Sequence, residues 1–129
     1  MCRIFTIKDK PLRAYKKVFV NGGPRTAVLV LEIPIGAKMR TCHHISKCRV
    51  SRAFVKGILK SEIPVFNIHK YQSMQDGNFE YQILRMAIPD HFDEDPTVTC
   101  STGIHCFLDS RDAIRYPFRE PNTIKCIGL

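Results

Sequence analysis

The stretch Tyr15-Lys16-Lys17-Val18-Phe19-Val20-Asn21-Gly22-Gly23-Pro24-Arg25-Thr26-Ala27-Val28-Leu29-Val30-Leu31-Glu32-Ile33 decides the fold. Its two arms, Tyr15 to Val20 and Thr26 to Ile33, are rich in Val, Leu, aromatic and β-branched side chains, which fit an extended, pleated backbone. Asn21-Gly22-Gly23-Pro24 between them is a turn cluster, so the whole reads as a hairpin. In the second arm Ala27, Leu29, Leu31 and Ile33 alternate with Val28, Val30 and Glu32. Both faces are then mostly apolar, which places this strand in the middle of a sheet. Pro34 has no amide hydrogen to give to a ladder and ends it.

Working outward, Gly36 and Ala37 open a basic stretch with Lys38 and Arg40. Ala53 to Leu59 and Ile63 to Ile68 read as two more strands, separated by Lys60-Ser61-Glu62. Asp76-Gly77 is a turn signal before Phe79 to Ile88, where Phe79, Tyr81, Ile83 and Arg85 alternate with Glu80, Gln82, Leu84 and Met86, the period of a strand. Gly103 to Leu108 reads as a last strand. It leads through an Asp109 or Ser110 cap into a short helix, Arg111 to Tyr116, stopped by Pro117. The 129 residues hold no repeat and no linker-like tract, and their number suits one core. The expected fold is α+β: a mostly antiparallel β single domain, 1–129, with one short helix near the C-terminus.

The net charge of +8 conceals an asymmetry. Residues 1–70 carry 15 Lys+Arg against Asp9, Glu32 and Glu62, a charge of +12, whereas residues 71–129 carry 5 against 9 acidic residues, a charge of −4. Charge of this kind bears on partners and solubility rather than on fold, and points to an acidic or anionic partner. The first twenty residues contain no apolar run of seven, so no secretory leader is expected and the product begins in the cytosol. The longest apolar stretch, Ala27 to Leu31, is far short of the roughly 20 residues a membrane helix needs.

The six cysteines, Cys2, Cys42, Cys48, Cys100, Cys106 and Cys126, would form bridges in a small secreted domain; in a reducing cytosol they are expected as thiols or metal ligands. Zinc takes thiolate and imidazole ligands in a tetrahedral set, and the candidates are Cys42, His44, Cys48, Cys100 and His105. Both cysteine pairs, Cys42 with Cys48 and Cys100 with Cys106, are spaced Cys-x5-Cys, looser than the usual zinc knuckle. On a strand, moreover, His105 and Cys106 point to opposite faces. Expected instead are buried thiols at Cys48 and Cys100 with a hydrogen-bonded His105, a Cys48 to Cys100 disulfide being the further alternative. Cys100 beside His105 also has the composition of an activated thiol. No oxyanion-hole signature or third residue accompanies it, so no catalytic residue and no cofactor are assigned and the expectation is a protein that is not an enzyme. Asp90, Asp93, Glu94 and Asp95 read as a solvated loop.

Several separated pieces form a recognisable combination: Tyr15-Lys16-Lys17-Val18, Ile33-Pro34 with Ala37, Lys47-Cys48-Arg49 with Ser51, Ala53 and Val55, then Phe79 and Tyr81, Phe92-Asp93, Cys100 with Gly103-Ile104-His105, Phe107, and Ala113 with Tyr116. It resembles an uncharacterised domain family of large double-stranded DNA viruses of the iridovirus, mimivirus and marseillevirus kind, often attached to pentapeptide repeats. Its most specific part is Cys-x-x-Gly-Ile-His followed by an aromatic and Ala-x-x-Tyr, which some phage lysis-inhibition proteins share in weaker form. Cys106 stands where that pattern usually has an aromatic, and no pentapeptide repeats are present here. The resemblance covers about residues 14–116, leaving 1–13 and 117–129 as arms. It implies a viral setting, with assembly in the host cytoplasm, and no activity.

Lys38, Arg40, Lys47, Arg49, Arg52, Lys56 and Lys60 are the candidate interaction residues. As a stripe they would bind phosphate non-specifically, but no helix-turn-helix, zinc finger or aromatic platform accompanies them. The expected function is therefore a structural or interaction protein of a large DNA virus particle, a minor capsid protein linking larger capsid proteins with acidic surfaces and able to self-associate. The alternatives are an intracellular binding module for nucleic acid or a host factor, and a cysteine-dependent enzyme.

Overall fold

The computed structural model describes residues 2–42, 46–64, 70–74, 78–98 and 101–116. Along them run β1 (Cys2–Thr6), β2 (Leu12–Val20), β3 (Thr26–Ile33), β4 (Lys38–Cys42), β5 (Lys47–Val50), β6 (Ala53–Ser61), β7 (Tyr71–Ser73), β8 (Glu80–Tyr81), β9 (Met86–Ala87), β10 (Ile104–Phe107) and α1 (Ser110–Arg115). The strands make one sheet in the order β1-β4-β5-β10-β2-β3-β6-β9, with β7 joined to β2 and β8. Each of its pairings is antiparallel. The fold is thus the expected antiparallel β domain with a short C-terminal helix.

The hairpin forms as the sequence demands. β2 and β3 pair from Leu12 opposite Ile33 to Phe19 opposite Thr26. Asn21, Gly22 and Gly23 turn the chain with φ of 52°, 88° and 83°, a region where glycine has no Cβ penalty and Asn the smallest one. β3 lies between β2 and β6, in mid-sheet. Its alternation sorts two faces: Ala27, Leu29, Leu31 and Ile33 join the main core with Ala14, Val18 and Val20 of β2, while Val28 packs on the other face with Phe107 and Ala113. That main core also takes Met39, Val50, Val55, Tyr71, Tyr81, Ala87, Ile104 and Cys106. Strands from end to end of the sheet feed one cluster, so the sheet curls around its own concave face.

On the convex face, α1 is pinned by its cap. The Asp109 carboxylate accepts from the Arg111 amide at 2.8 Å and from the Arg111 guanidinium at 2.8 Å, contacts that hold the carboxyl down at about 2. Ala113 is the buried contact of the helix.

Three expectations are corrected. Phe79 to Ile88 is not one strand: the backbone folds back between β8 and β9, with Leu84 at φ 63° and the Leu84 amide donating to the Val55 carbonyl at 2.7 Å. The segment 1–13 is not a free arm, because β1 pairs along its whole length with β4 and Leu12 and Arg13 belong to β2. Ile63 and Pro64 are outside any strand, and the rest of the expected Ile63 to Ile68 strand lies outside the described residues. Arg40 to Lys60 runs through three strands, β4, β5 and β6, and β6 bulges twice against β3. Lys60 faces Val28 and Ile58 faces Leu29, leaving Leu59 as an extra residue; Gly57 faces Val30 and Val55 faces Leu31, leaving Lys56 as the other. Each bulge inserts a residue without a ladder partner, and the two shifts together restore the alternation: Lys60 stands opposite Val28 and Lys56 pairs with Glu32, positions of one parity on β3.

Candidate functional site

Arg49 of β5 lies at core depth, 1% exposed, where a guanidinium needs hydrogen-bond partners to offset its desolvation. It finds carbonyl oxygens. Its two terminal nitrogens donate to Thr102 at 3.0 Å, Val98 at 3.0 Å, Asp95 at 3.3 Å and Asp93, and the guanidinium lies 5.1 Å from the centre of the Phe92 ring. One side chain thereby ties the two sides of the 92–102 segment to the sheet. Gly103 makes room for it: φ is +133°, and a Cβ there would stand 2.9 Å from Arg49 Cγ, 3.0 Å from Phe92 Cδ1 and 3.3 Å from the Val50 carbonyl oxygen. Within the segment, Asp93 accepts from the Asp95 amide and the Ser101 hydroxyl, and Asp95 accepts from the Thr97 amide and hydroxyl. These bonds hold both carboxyls below the usual range. Two more cations reach the same segment. Arg40 Nε donates to the Pro96 carbonyl at 3.0 Å, and Lys38 pairs with Glu94.

A second polar cluster lies under the middle of the sheet. Lys16 occupies a core position of β2, between Ala14 and Val18, and is 3% exposed. Its ammonium donates to the His105 carbonyl at 2.6 Å and sits 6.0 Å from the centre of the Tyr81 ring. Burial brings this lysine down to about 7, against the attraction of the Cys106 and Cys48 sulfurs. His105 is 3% exposed and its Nε2 donates to the Ser101 carbonyl at 2.7 Å, which leaves the neutral ring with Nδ1 as its bare nitrogen. Burial, with the cations Lys16, Lys47 and Arg49 nearby, takes its titration down to about 3. Cys48 and Cys106 face each other across β5 and β10, both buried, with sulfurs 3.2 Å apart. Hydrogen bonding to Cys106 and burial push the Cys48 thiol well up.

The candidate residues scatter accordingly. Of the interaction set, Arg40 and Arg49 are 3% and 1% exposed and face inward, so they are corrected from a docking stripe to internal ties. Lys47 is half-buried, whereas Lys38, Lys56 and Lys60 are exposed and Arg52 partly so. Lys56 pairs with Glu32 at 3.6 Å and Arg52 donates to the Ile35 carbonyl at 3.3 Å. Of the zinc set, Cys42 is not a thiol but disulfide-bonded to Cys2, its direct neighbour across β1 and β4. Cys48 meets Cys106 instead, and His105 points to Ser101. His44 and Cys100 lie outside the described residues, and with Cys100 the expected thiol and the Cys48 to Cys100 alternative. Among the described residues no group of three or more His, Cys, Asp or Glu is placed to hold a metal ion, and no helix is long and apolar enough to cross a membrane.

Lys16 escaped the reading of the sequence, although its signal was present: Ala14, Lys16, Val18 and Val20 share one parity, and three of them are core residues. The Cys48–Cys106 pair escaped because only register, not spacing, places residues 48 and 106 opposite each other.

These clusters gather residues distant in the chain, Lys47-Cys48-Arg49, Phe92-Asp93, Gly103-Ile104-His105 and Phe107, around β5 and β10, and the same set falls within a family model. The match is to the family of unknown function DUF5758, over residues 2–113. The chain belongs to this family. No curated protein and no solved structure matches it. The family match begins at β1 and so takes in the amino-terminal strand that the resemblance over 14–116 had left out.

One surface feature stands apart from the buried clusters. At the open end of the sheet, beyond β6, Leu84, Met86 and Ile88 are 67%, 41% and 64% exposed. Large apolar side chains this accessible, at the open edge of a sheet, mark a surface suited to contact with another chain.

Proposed function

We propose that this DUF5758 chain is a structural protein of a large DNA virus particle, a small minor capsid component that links larger capsid proteins. The observation that carries the contact is the exposed apolar edge at Leu84, Met86 and Ile88. The viral setting is taken from the sequence resemblance. A partner that suits the edge is a protein surface with an apolar strip in an acidic surround, because the chain carries +8 overall and exposed Arg85 and Lys56 accompany the edge. Such complementarity governs orientation and association rate more than affinity, and the apolar strip supplies the burial. Two of the seven cations expected to dock are spent inside the fold, so the apolar edge, not the basic stripe, leads the contact.

The test is to purify particles from cells infected with the encoding virus and quantify the chain by mass spectrometry. A fixed ratio to the shell proteins is expected, with loss from particles of a Leu84→Asp/Ile88→Asp variant whose circular dichroism is unchanged. Particles without the chain, or full incorporation of the variant, would overturn the proposal.

A further inference from the structure

We propose that Cys48 and Cys106 are a dithiol that closes into a second cross-strand disulfide, a covalent modification site at the centre of the sheet. The pair stands directly opposite in register across β5 and β10. Both side chains belong to the main core. Their sulfurs, 3.2 Å apart, need approach by only about 1 Å to reach a bond of ~2.05 Å. The adjoining strand pair is already joined in the same way, Cys2 opposite Cys42 across β1 and β4. Since β4 and β5 are neighbours in the order β1-β4-β5-β10, the second closure would lock four consecutive strands in register with two staples.

The chemistry balances with a small-molecule disulfide of the glutathione class as oxidant. One protein thiol, as thiolate, attacks a sulfur of that disulfide and releases the first small thiolate. The second protein thiolate then attacks the mixed disulfide at the protein sulfur and releases the second. Two electrons pass from the cysteine pair to the reagent, whose two thiolates take up the two protons. The buried ammonium of Lys16 favours the thiolate of Cys48, although the hydrogen bond with Cys106 and burial outweigh it. Access decides the timing. Cys48 and Cys106 are only 3% and 1% exposed. A glutathione-sized reagent therefore meets the pair as β5 and β10 come together during folding, not in the finished sheet.

The full chain, refolded from denaturant with oxidised and reduced glutathione, is alkylated, digested without reduction and mapped by mass spectrometry. A peptide joining Cys48 to Cys106 is expected alongside the Cys2–Cys42 link. The melting temperature should exceed that of a Cys48→Ala/Cys106→Ala variant refolded in the same buffer by on the order of 10 °C, since the bond closes a loop of nearly sixty residues. Alkylation of both Cys48 and Cys106 after oxidative refolding, or their linkage to Cys100 or Cys126, would overturn the proposal. The peptide map reads the unmutated chain, so it decides the matter even where the double variant does not fold.

Discussion

The β2–β3–β6 ladder and the 92–102 segment are held by opposite means. In the ladder, backbone bonds to backbone in register, Leu12 opposite Ile33 and Leu31 opposite Val55, and the side chains are left free to fill the core. In the 92–102 segment no strand is formed among the described residues, and the carbonyls that a neighbouring strand would have satisfied are taken by the side chains of Arg49 and Arg40. Regular pairing spreads stability over many small, interchangeable bonds. A side-chain clamp concentrates it in one residue, and that residue must be buried and charged to reach several carbonyls at once.

The most severe way to break the contrast is Arg49→Met. It removes a donor from four carbonyls, of which Thr102 and Asp95 keep the Asp93 and Val98 amides, and should cost about 4 kcal/mol, read as a lower urea midpoint. Hydrogen exchange should show the 92–102 segment opening before the ladder, and simultaneous loss of protection in both would show that the clamp is not separable from the ladder. Leu31→Ala, fully buried in β3, should cost about 3 kcal/mol through its cavity, and here the ladder amides should lose protection together. An acid titration sharpens the comparison at β10. His105 is held neutral in the fold, at about 3 against an ordinary 6.5, so the unfolded chain binds the extra proton between these values. Its contribution is complete above pH 6.5 and is lost as pH falls toward 3, and His105→Gln should flatten that part of the stability curve. Lys16 has the same sign in another window: its pull toward the neutral form, at about 7 against 10.5, should make stability rise between pH 7 and 10.5, and Lys16→Met should remove the slope. Smallest is Lys56→Ala. It cuts an exposed ion pair with Glu32 and should change the urea midpoint by less than the equivalent of ~0.5 kcal/mol.

The contrast also explains what the sequence could disclose. The hairpin, β6, β10 and α1 were legible because their hydrophobic period, turn residues and cap are local signals. β4 and β5 were not, because Lys38-Met39-Arg40 and Lys47-Cys48-Arg49 look like a surface stripe until register shows that Arg40 and Arg49 face a loop more than forty residues away. Phe79 to Ile88 misled in the other direction: its alternation is genuine, yet the chain turns at Leu84 to bond back onto Val55. For the same reason the two charged halves of the chain, which read as a means of joining separate molecules, partly meet inside one, through Lys38 with Glu94 and Arg49 with the 93–98 carbonyls.

The hydrogen bonds of Arg49 go to main-chain oxygens, which are common to every amino acid. The shape of the 92–102 segment and the chemistry it displays are therefore decoupled. An exposed position such as Glu94 can therefore be replaced at the cost of its ion pair with Lys38 while the clamp goes on holding the same backbone.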